Sequence, residues 1–214
     1  METLIGDVPD DWQVTQLSAC CELQPGPAGT TLRGPRRVPG GVPVVGAAEV
    51  RQRRITAAPD VGIPVETAHG LAHYTLTEGD ILLVRVGDTT RHGIATRAHE
   101  GWILGGSCVR ARVKTDERRI VEPEYLSSYL THPAVTEWIE QRTTHGVMPT
   151  ITTATLATLP VVLPPTGVQR GVIDMERALD RKIRLHEDIV ATTRALRDVL
   201  MPQLLSGTLR HGWD

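Results

Sequence analysis

From Val168 to Leu200 the apolar residues return at steps that are mostly three or four: Val168, Val172, Met175, Leu179, Ile183, Ile189, Leu196 and Leu200. That period puts them on one side of an α-helix, with charges of both signs on the other faces. Gly and Pro are absent from 166–200 apart from Gly167 and Gly171. At ~1.5 Å per residue such a run spans roughly 50 Å, far more than the typical globular helix of about 11 residues. Lys182, His186 and Thr193 interrupt the seam, and polar seam positions fix register and partner number at some cost in stability. The spacing predicts a helix over 166–201 that pairs with another chain, stopped by Pro202 and followed by a short tail, 202–214.

Upstream of 165 the pattern changes. Gly and Pro punctuate short β-type runs, of which PVVGAAEV (43–50) and GDILLVRVG (79–87) read as strands. Ile81, Leu82, Leu83 and Val84 are continuously apolar, as in a strand buried on both faces. SCVRARV (107–113) alternates Cys108, Arg110 and Arg112 with Val109, Ala111 and Val113, which predicts a strand with one wet face. Residues 122–144 read as two helices. Pro123 opens the first, with Leu126, Tyr129 and Leu130 on one side; after His132-Pro133, Val135, Trp138 and Ile139 repeat the spacing. LPVVLPP (159–165) is a short strand halted by Pro164-Pro165. Proline removes a donor and restricts the residue before it, so the strand cannot slide into the helix. The expected fold is α/β (α+β): a mixed globular domain, 1–165, followed by one long C-terminal helix.

Composition narrows the chemistry. There is no Phe, and aromatics make up 3% of the chain, so Val, Leu, Ile and Ala must build the core. A net charge of −2 is uninformative, but its distribution is uneven. Residues 1–29 carry acids and no Lys or Arg, whereas 30–60 hold Arg33, Arg36, Arg37, Arg51, Arg53 and Arg54 against Glu49 and Asp60. A second basic run comprises Arg110, Arg112, Lys114, Arg118 and Arg119. Arginine offers a planar fork suited to phosphates and guanine edges. Cys20, Cys21 and Cys108 form no disulfide or zinc spacing and read as buried thiols of a reducing compartment. The acidic start lacks the apolar core of a signal peptide, and no apolar run approaches the ~18 residues that span a membrane. A soluble cytoplasmic protein is expected.

No catalytic constellation is present: no G-x-S-x-G, no G-K-[ST] phosphate loop, no H-E-x-x-H and no Asn-Pro-Pro-aromatic tetrad. GWILGGS (101–107) reads as a turn, and His69 and His73 as surface residues without a third metal ligand in sequence. What remains is recognition through Arg, Thr and Gly in loops. Electrostatics alone does not separate DNA, RNA and an acidic protein as the partner.

Several segments resemble the specificity (S) subunit of type I restriction-modification systems. They are VPDDWQVTQLSACCELQPG (8–26), VPVVGAAEV (42–50), LTEGDILLVRVGDTTRHGIA (76–95), PEYLSSYLTHP (123–133), HGVMPTIT with LATLPVVLPPTGVQRGVI (145–173), and LRDVLMPQLLSGTL (196–209). Their order and spacing cover nearly the whole chain. Val168-Gln169 stands where the family more often has Glu-Gln. Typical members carry two recognition domains, each followed by a long helix, with the helices paired antiparallel; this chain has one of each.

The resemblance implies a half-subunit whose homodimer, an antiparallel coiled coil, rebuilds the two-part arrangement and reads a bipartite, palindromic site on double-stranded DNA. It implies no catalysis by this chain. Adenine-methyltransferase subunits would be held by it and would bring S-adenosylmethionine, with a restriction (translocase) subunit as a further possible partner. DNA contacts are expected from Arg33, Arg36 and Arg37, from Arg51, Arg53 and Arg54, from Arg85, Arg91 and His92, and from Thr143, Thr144 and His145. Gly146 to Ile151 are expected to shape the domain rather than touch a base. Two other readings stay open: the recognition domain of a single-chain DNA adenine methyltransferase, and a protein-binding assembly factor or decoy in phage defence.

Overall fold

The computed structural model describes residues 1–28, 31–32, 37–56, 61–115, 120–144 and 146–208. The chain divides into two compact units, Met1–Arg170 and Gly171–Asp214. The first is built on a six-stranded sheet of β1 (Cys21–Pro25), β2 (Val50–Arg51), β3 (Arg53–Ile55), β4 (Ile81–Val84), β5 (His92–Ile94) and β6 (Cys108–Val113), in the order β1-β6-β4-β5-β3-β2. Only the β5–β3 pairing is parallel. All four residues of β4 are buried, as a central apolar run requires. Its alternate residues Leu82 and Val84 join Val45, Val50, Ile55, Leu76, Leu104 and Cys108 in one core cluster.

Helix α1 (Pro123–Tyr129) packs on β5, and α2 (Pro133–Arg142) follows after His132 caps it by accepting from the Ala134 N–H. Both prolines sit in the first turn, where no donor is needed. The strands Gln13–Gln16 and Pro160–Leu163 pair antiparallel. Tyr125 and Tyr129 donate hydroxyl protons to the Val162 and Pro160 carbonyls, each at 2.8 Å, and so tie α1 to that pair.

Three sequence expectations are corrected, and one element is added. Residues 43–50 are not one strand: Val44–Val45 pairs with Ile103–Leu104, and β2 begins only at Val50. A turn separates them because the Glu49 carboxylate accepts the Gly46 N–H at 2.8 Å and competes with the ladder. β6 has no wet face, since Cys108 to Ala111 are buried. Arg110 is accommodated by donating to the Thr75 carbonyl at 2.9 Å and the His73 carbonyl at 3.3 Å. The threonine-rich segment forms a short helix, α3 (Thr153–Ala157), capped by Thr152 Oγ1 accepting the Thr155 N–H. Pro202 does not stop the long helix α4, which runs Thr166–Leu205. So near the end proline forfeits a single ladder bond, and its carbonyl still accepts the Ser206 N–H at 3.0 Å.

The joint before α4 has the expected form. The Pro165 carbonyl accepts the N–H groups of Val168 and Gln169, so the first turn starts directly after the proline pair. Gln169 is 1% exposed and uses its whole amide: it accepts from the Glu122 N–H and donates to the Ile120 and Pro164 carbonyls. The glycines of GWILGGS allow backbones to meet: a Cβ on Gly105 would lie 2.6 Å from the Val45 carbonyl oxygen, and one on Gly106 2.5 Å from that of Pro27. Among the described residues no helix is long and apolar enough to cross a membrane.

Candidate functional site

Strand direction gathers the arginine-bearing segments. β4 ends at Val84 and β5 starts at His92, so the 85–91 loop closes one end of the sheet. β3 runs parallel to β5 with Arg53 beside Gly93, which brings the Arg51–Arg54 hairpin to that same end. β6 starts there, because Cys108 pairs with Val84, and β1 finishes there, because Pro25 pairs with Val109. The chain leaving β1 continues there through Gly26, whose N–H donates to the Cys108 carbonyl at 3.0 Å. Thr150 bridges Val86, adding the 144–150 loop. Four segments far apart in sequence thus share one edge. A cleft of about 580 Å³ is lined in part by Arg37, Glu49, Val86, Gly106 and Ser107.

The hairpin is unusual. Arg51 pairs with Arg54 across a two-residue turn in which Gln52 (φ 47°) and Arg53 (φ 63°) are both left-handed. That geometry suits the twist of a tight hairpin but normally selects Asn-Gly. Two non-glycine residues there cost of order 1–3 kcal/mol each and persist only where the surroundings enforce them. The Arg53 guanidinium is held to Ser128 Oγ at 3.1 Å, while Arg51 and Arg54 are exposed.

The expected contact residues separate into three groups. Arg37, Arg51, Arg54 and Thr144 are exposed. Arg53, Arg85 and Arg91 are half-buried, and Arg91 spans from the Val50 carbonyl (3.2 Å) to the Asp88 carboxylate (3.4 Å). His92 and Thr143 are buried. The His92 ring bonds the Ser127 carbonyl at 2.8 Å through Nε2, and Thr143 Oγ1 meets Thr89 Oγ1 at 2.7 Å and donates to the Ile139 carbonyl. These two brace the loops from below and present no free edge. Arg33, Arg36 and His145 lie outside the described residues. Sequence spacing gives no sign of Val147 and Met148 as site residues, yet both stand exposed at this edge.

Arg110, Arg112 and Lys114 of the second basic run are placed differently, and Arg118 and Arg119 lie outside the described residues. Arg112 forms a two-pronged bond to Asp80, both contacts at 2.7 Å. The Lys114 ammonium donates to the Ser18 carbonyl. Arg110 and Arg112 lie toward the opposite end of β6, so their charges serve the sheet.

Burial pushes the His92 imidazole down to about 4, with the nearby Arg53 charge acting in the same direction. The folded state therefore holds a neutral ring that the unfolded chain protonates near 6.5. This contribution to stability is complete above about pH 6.5 and is lost as pH falls toward 4, on the order of 3 kcal/mol. Melting followed from pH 7 to pH 4 is expected to show this loss, and His92→Gln to flatten it. An equally steep profile in the variant would assign the acid sensitivity to other groups.

A family profile, the type I restriction modification DNA specificity domain, matches residues 9–192. Among solved structures, the chain is similar to one from work on complex assembly and conformational transition of the type I R-M system. There the TM-score is 0.62 at 18% identity, covering 91% of this chain and 45% of that one. The HsdS subunit from Thermoanaerobacter tengcongensis gives 0.58 at 17% identity, covering 95% and 47%. The type-I restriction-modification S subunit from M. genitalium gives 0.58 at 13% identity, covering 94% and 48%. At such identities the likeness speaks for the fold. The chain spans about half the length of these solved chains. No curated protein matches it.

Proposed function

Because the chain belongs to the type I restriction-modification DNA specificity family, whose domain recognises DNA by sequence, we propose that the sheet edge bearing Arg37, Arg51, Arg53, Arg54, Arg85 and Arg91 is its DNA-reading surface. The convergence of four separate segments on that edge carries the reading. A chain of net charge −2 gathers its arginine forks where loops, free of ladder bonds, can follow a groove. The backbone strain at Gln52 and Arg53 supports the hairpin as a working part. Arg33, Arg36, Thr144 and His145 belong to the same loops in sequence and complete the set. His92 and Thr143 hold the loops in place.

In this reading the chain is a non-catalytic, cytoplasmic half-subunit. Two copies pair through α4 as an antiparallel coiled coil and place two reading edges on a bipartite duplex site. Adenine-methyltransferase subunits dock on the pair and bring S-adenosylmethionine, and a restriction subunit completes the system. The apolar side chains of α4 support the pairing: Val168, Val172, Met175, Leu179, Ile183, Ile189 and Leu196 are all exposed, and Leu200 is half-buried.

The test is methylation mapping in cells carrying the gene with its methyltransferase, followed by duplex binding of the assembled complex. Arg51→Ala with Arg54→Ala is expected to act in one of two ways, according to what the two guanidinium groups touch. Where they read a base, one position of the motif relaxes at a cost of about 1–3 kcal/mol. Where they bind phosphate, all sequences weaken together and the salt dependence shallows by about 0.9 in slope per phosphate. A variant with unchanged motif, affinity and slope would remove the hairpin from the interface.

A further inference from the structure

The loop between Thr144 and Thr150 carries the most exposed large apolar side chain among the described residues. Val147 is 105% exposed and Met148 59%. A lone exposed valine is ordinary, but here the mounting is not. Thr144 and Thr150 exchange both backbone bonds, at 2.9 and 3.2 Å. Thr144 Oγ1 donates to the Thr150 carbonyl and Thr150 Oγ1 to that of Met148. The Pro149 carbonyl accepts the Gly87 N–H at 2.9 Å, and the Ile151 N–H reaches the Arg85 carbonyl at 3.0 Å. Ile151 beyond them is fully buried. Six bonds thus fix the foot of a turn that holds Val147 out in solvent.

We propose that Val147 is a specificity-determining residue that makes apolar contact with a thymine C5-methyl on the base edge of the target duplex. The inference rests on the DNA-reading assignment above and deepens it. Three features support this occupant. The tip is continuous with the arginine edge, since Thr150 bridges Val86 and Ile151 bonds Arg85. The threonine hydroxyl protons at its foot are spent inside the loop, and the side chains of Val147 and Met148 at its tip are apolar. The thymine methyl is the one apolar group on a base-pair edge, and it lies in the major groove beside the guanine acceptors that arginine reads. Arginine and valine on one rigid edge therefore distinguish G·C from A·T within a single site.

The experiment is motif mapping in cells carrying the methyltransferase with the wild-type chain, Val147→Ser or Val147→Ile, followed by binding of each assembled complex to duplexes. The exposed position makes all three folds equivalent, which matching melting curves verify. Val147→Ser is expected to relax a single A·T position about five- to tenfold while the other positions keep their discrimination, and Val147→Ile to restore it. Deoxyuridine in place of that thymine is expected to weaken the wild-type complex by a similar factor and leave Val147→Ser unmoved. Identical discrimination at every position in Val147→Ser overturns the proposal while the DNA-reading assignment stands. Equal sensitivity of both proteins to deoxyuridine overturns the methyl contact. A wild-type chain on which no methylated motif depends sinks both readings together.

Discussion

Asp80→Ala is expected to destabilise the first unit by about 2–3 kcal/mol, the cost of stripping hydrogen-bond partners from a backbone donor and from a charged group that stays partly solvated. The Asp80 side chain is fully buried just ahead of β4. Its oxygens accept Arg112 Nε and Nη2, both at 2.7 Å, and the Thr77 N–H at 2.8 Å. Alanine leaves the Thr77 N–H and Arg112 Nε without their acceptor, and Arg112 Nη2 with the Thr75 carbonyl at 3.3 Å. For a unit of this size each kcal/mol moves the melting temperature by roughly 2–4 °C, so a drop on the order of 10 °C is expected. Arg112→Ala fails in the complementary way, by stranding a buried carboxylate. The double variant should cost less than the sum of the two, as groups sharing one interaction do. Well below the melting temperature, Arg112→Ala should leave the salt dependence of DNA binding unchanged, because that arginine lies at the far end of the sheet. A shift of only a degree or two in Asp80→Ala, or a shallower salt slope in Arg112→Ala, would contradict this placement.

The same pair shows where sequence reasoning stops. Alternation along 107–113 correctly marks a strand, but period two cannot reveal that carbonyls from the 73–75 segment wait for Arg110 or a carboxylate for Arg112. The long helix is legible because its signal is local and repeated over many turns. The sheet order is not. β1 pairs with β6 across more than eighty residues, and strands of two to six residues carry too few positions to specify a partner. The site shares that fate: its arginines can be named from composition, but their meeting depends on strand direction. Nothing in the hairpin's sequence signals left-handed residues, since Gln52-Arg53 replaces the usual Asn-Gly. The threonine helix is hidden by its weak propensity, which a cap at Thr152 offsets. Sequence marks the 146–151 segment as a shaping element, and its foot does shape the domain. The exposure of Val147 follows from how Thr144 and Thr150 close the loop, which spacing does not encode.

Leu179→Glu combined with Ile183→Glu is expected to convert the proposed homodimer into monomers. At about 100° per residue, Val168, Val172, Met175, Leu179, Ile183, Ile189, Val190, Leu196, Leu200 and Leu204 fall within a band about 140° wide. Both chosen residues are 54% exposed and lie in that band. A twofold pair meets each substitution twice, so four carboxylates enter the seam, more than the Lys182 and His186 already interrupting it can offset. At several kcal/mol for each charge buried unpaired, even a fraction of the full penalty weakens association more than a thousandfold. Glutamate is a good helix former, so helical circular dichroism should persist and isolate the effect to pairing. Ala195→Glu, on the opposite side of the helix, provides the control and should leave the dimer intact. Light scattering reads the assembly, and methylation mapping reads its consequence. With the twofold lost, the two half-sites are no longer held at one separation, and a bipartite motif should vanish although each edge keeps its arginines. A monomeric wild-type chain, or a bipartite motif that survives in the double variant, would show that something other than α4 sets the distance between the reading edges.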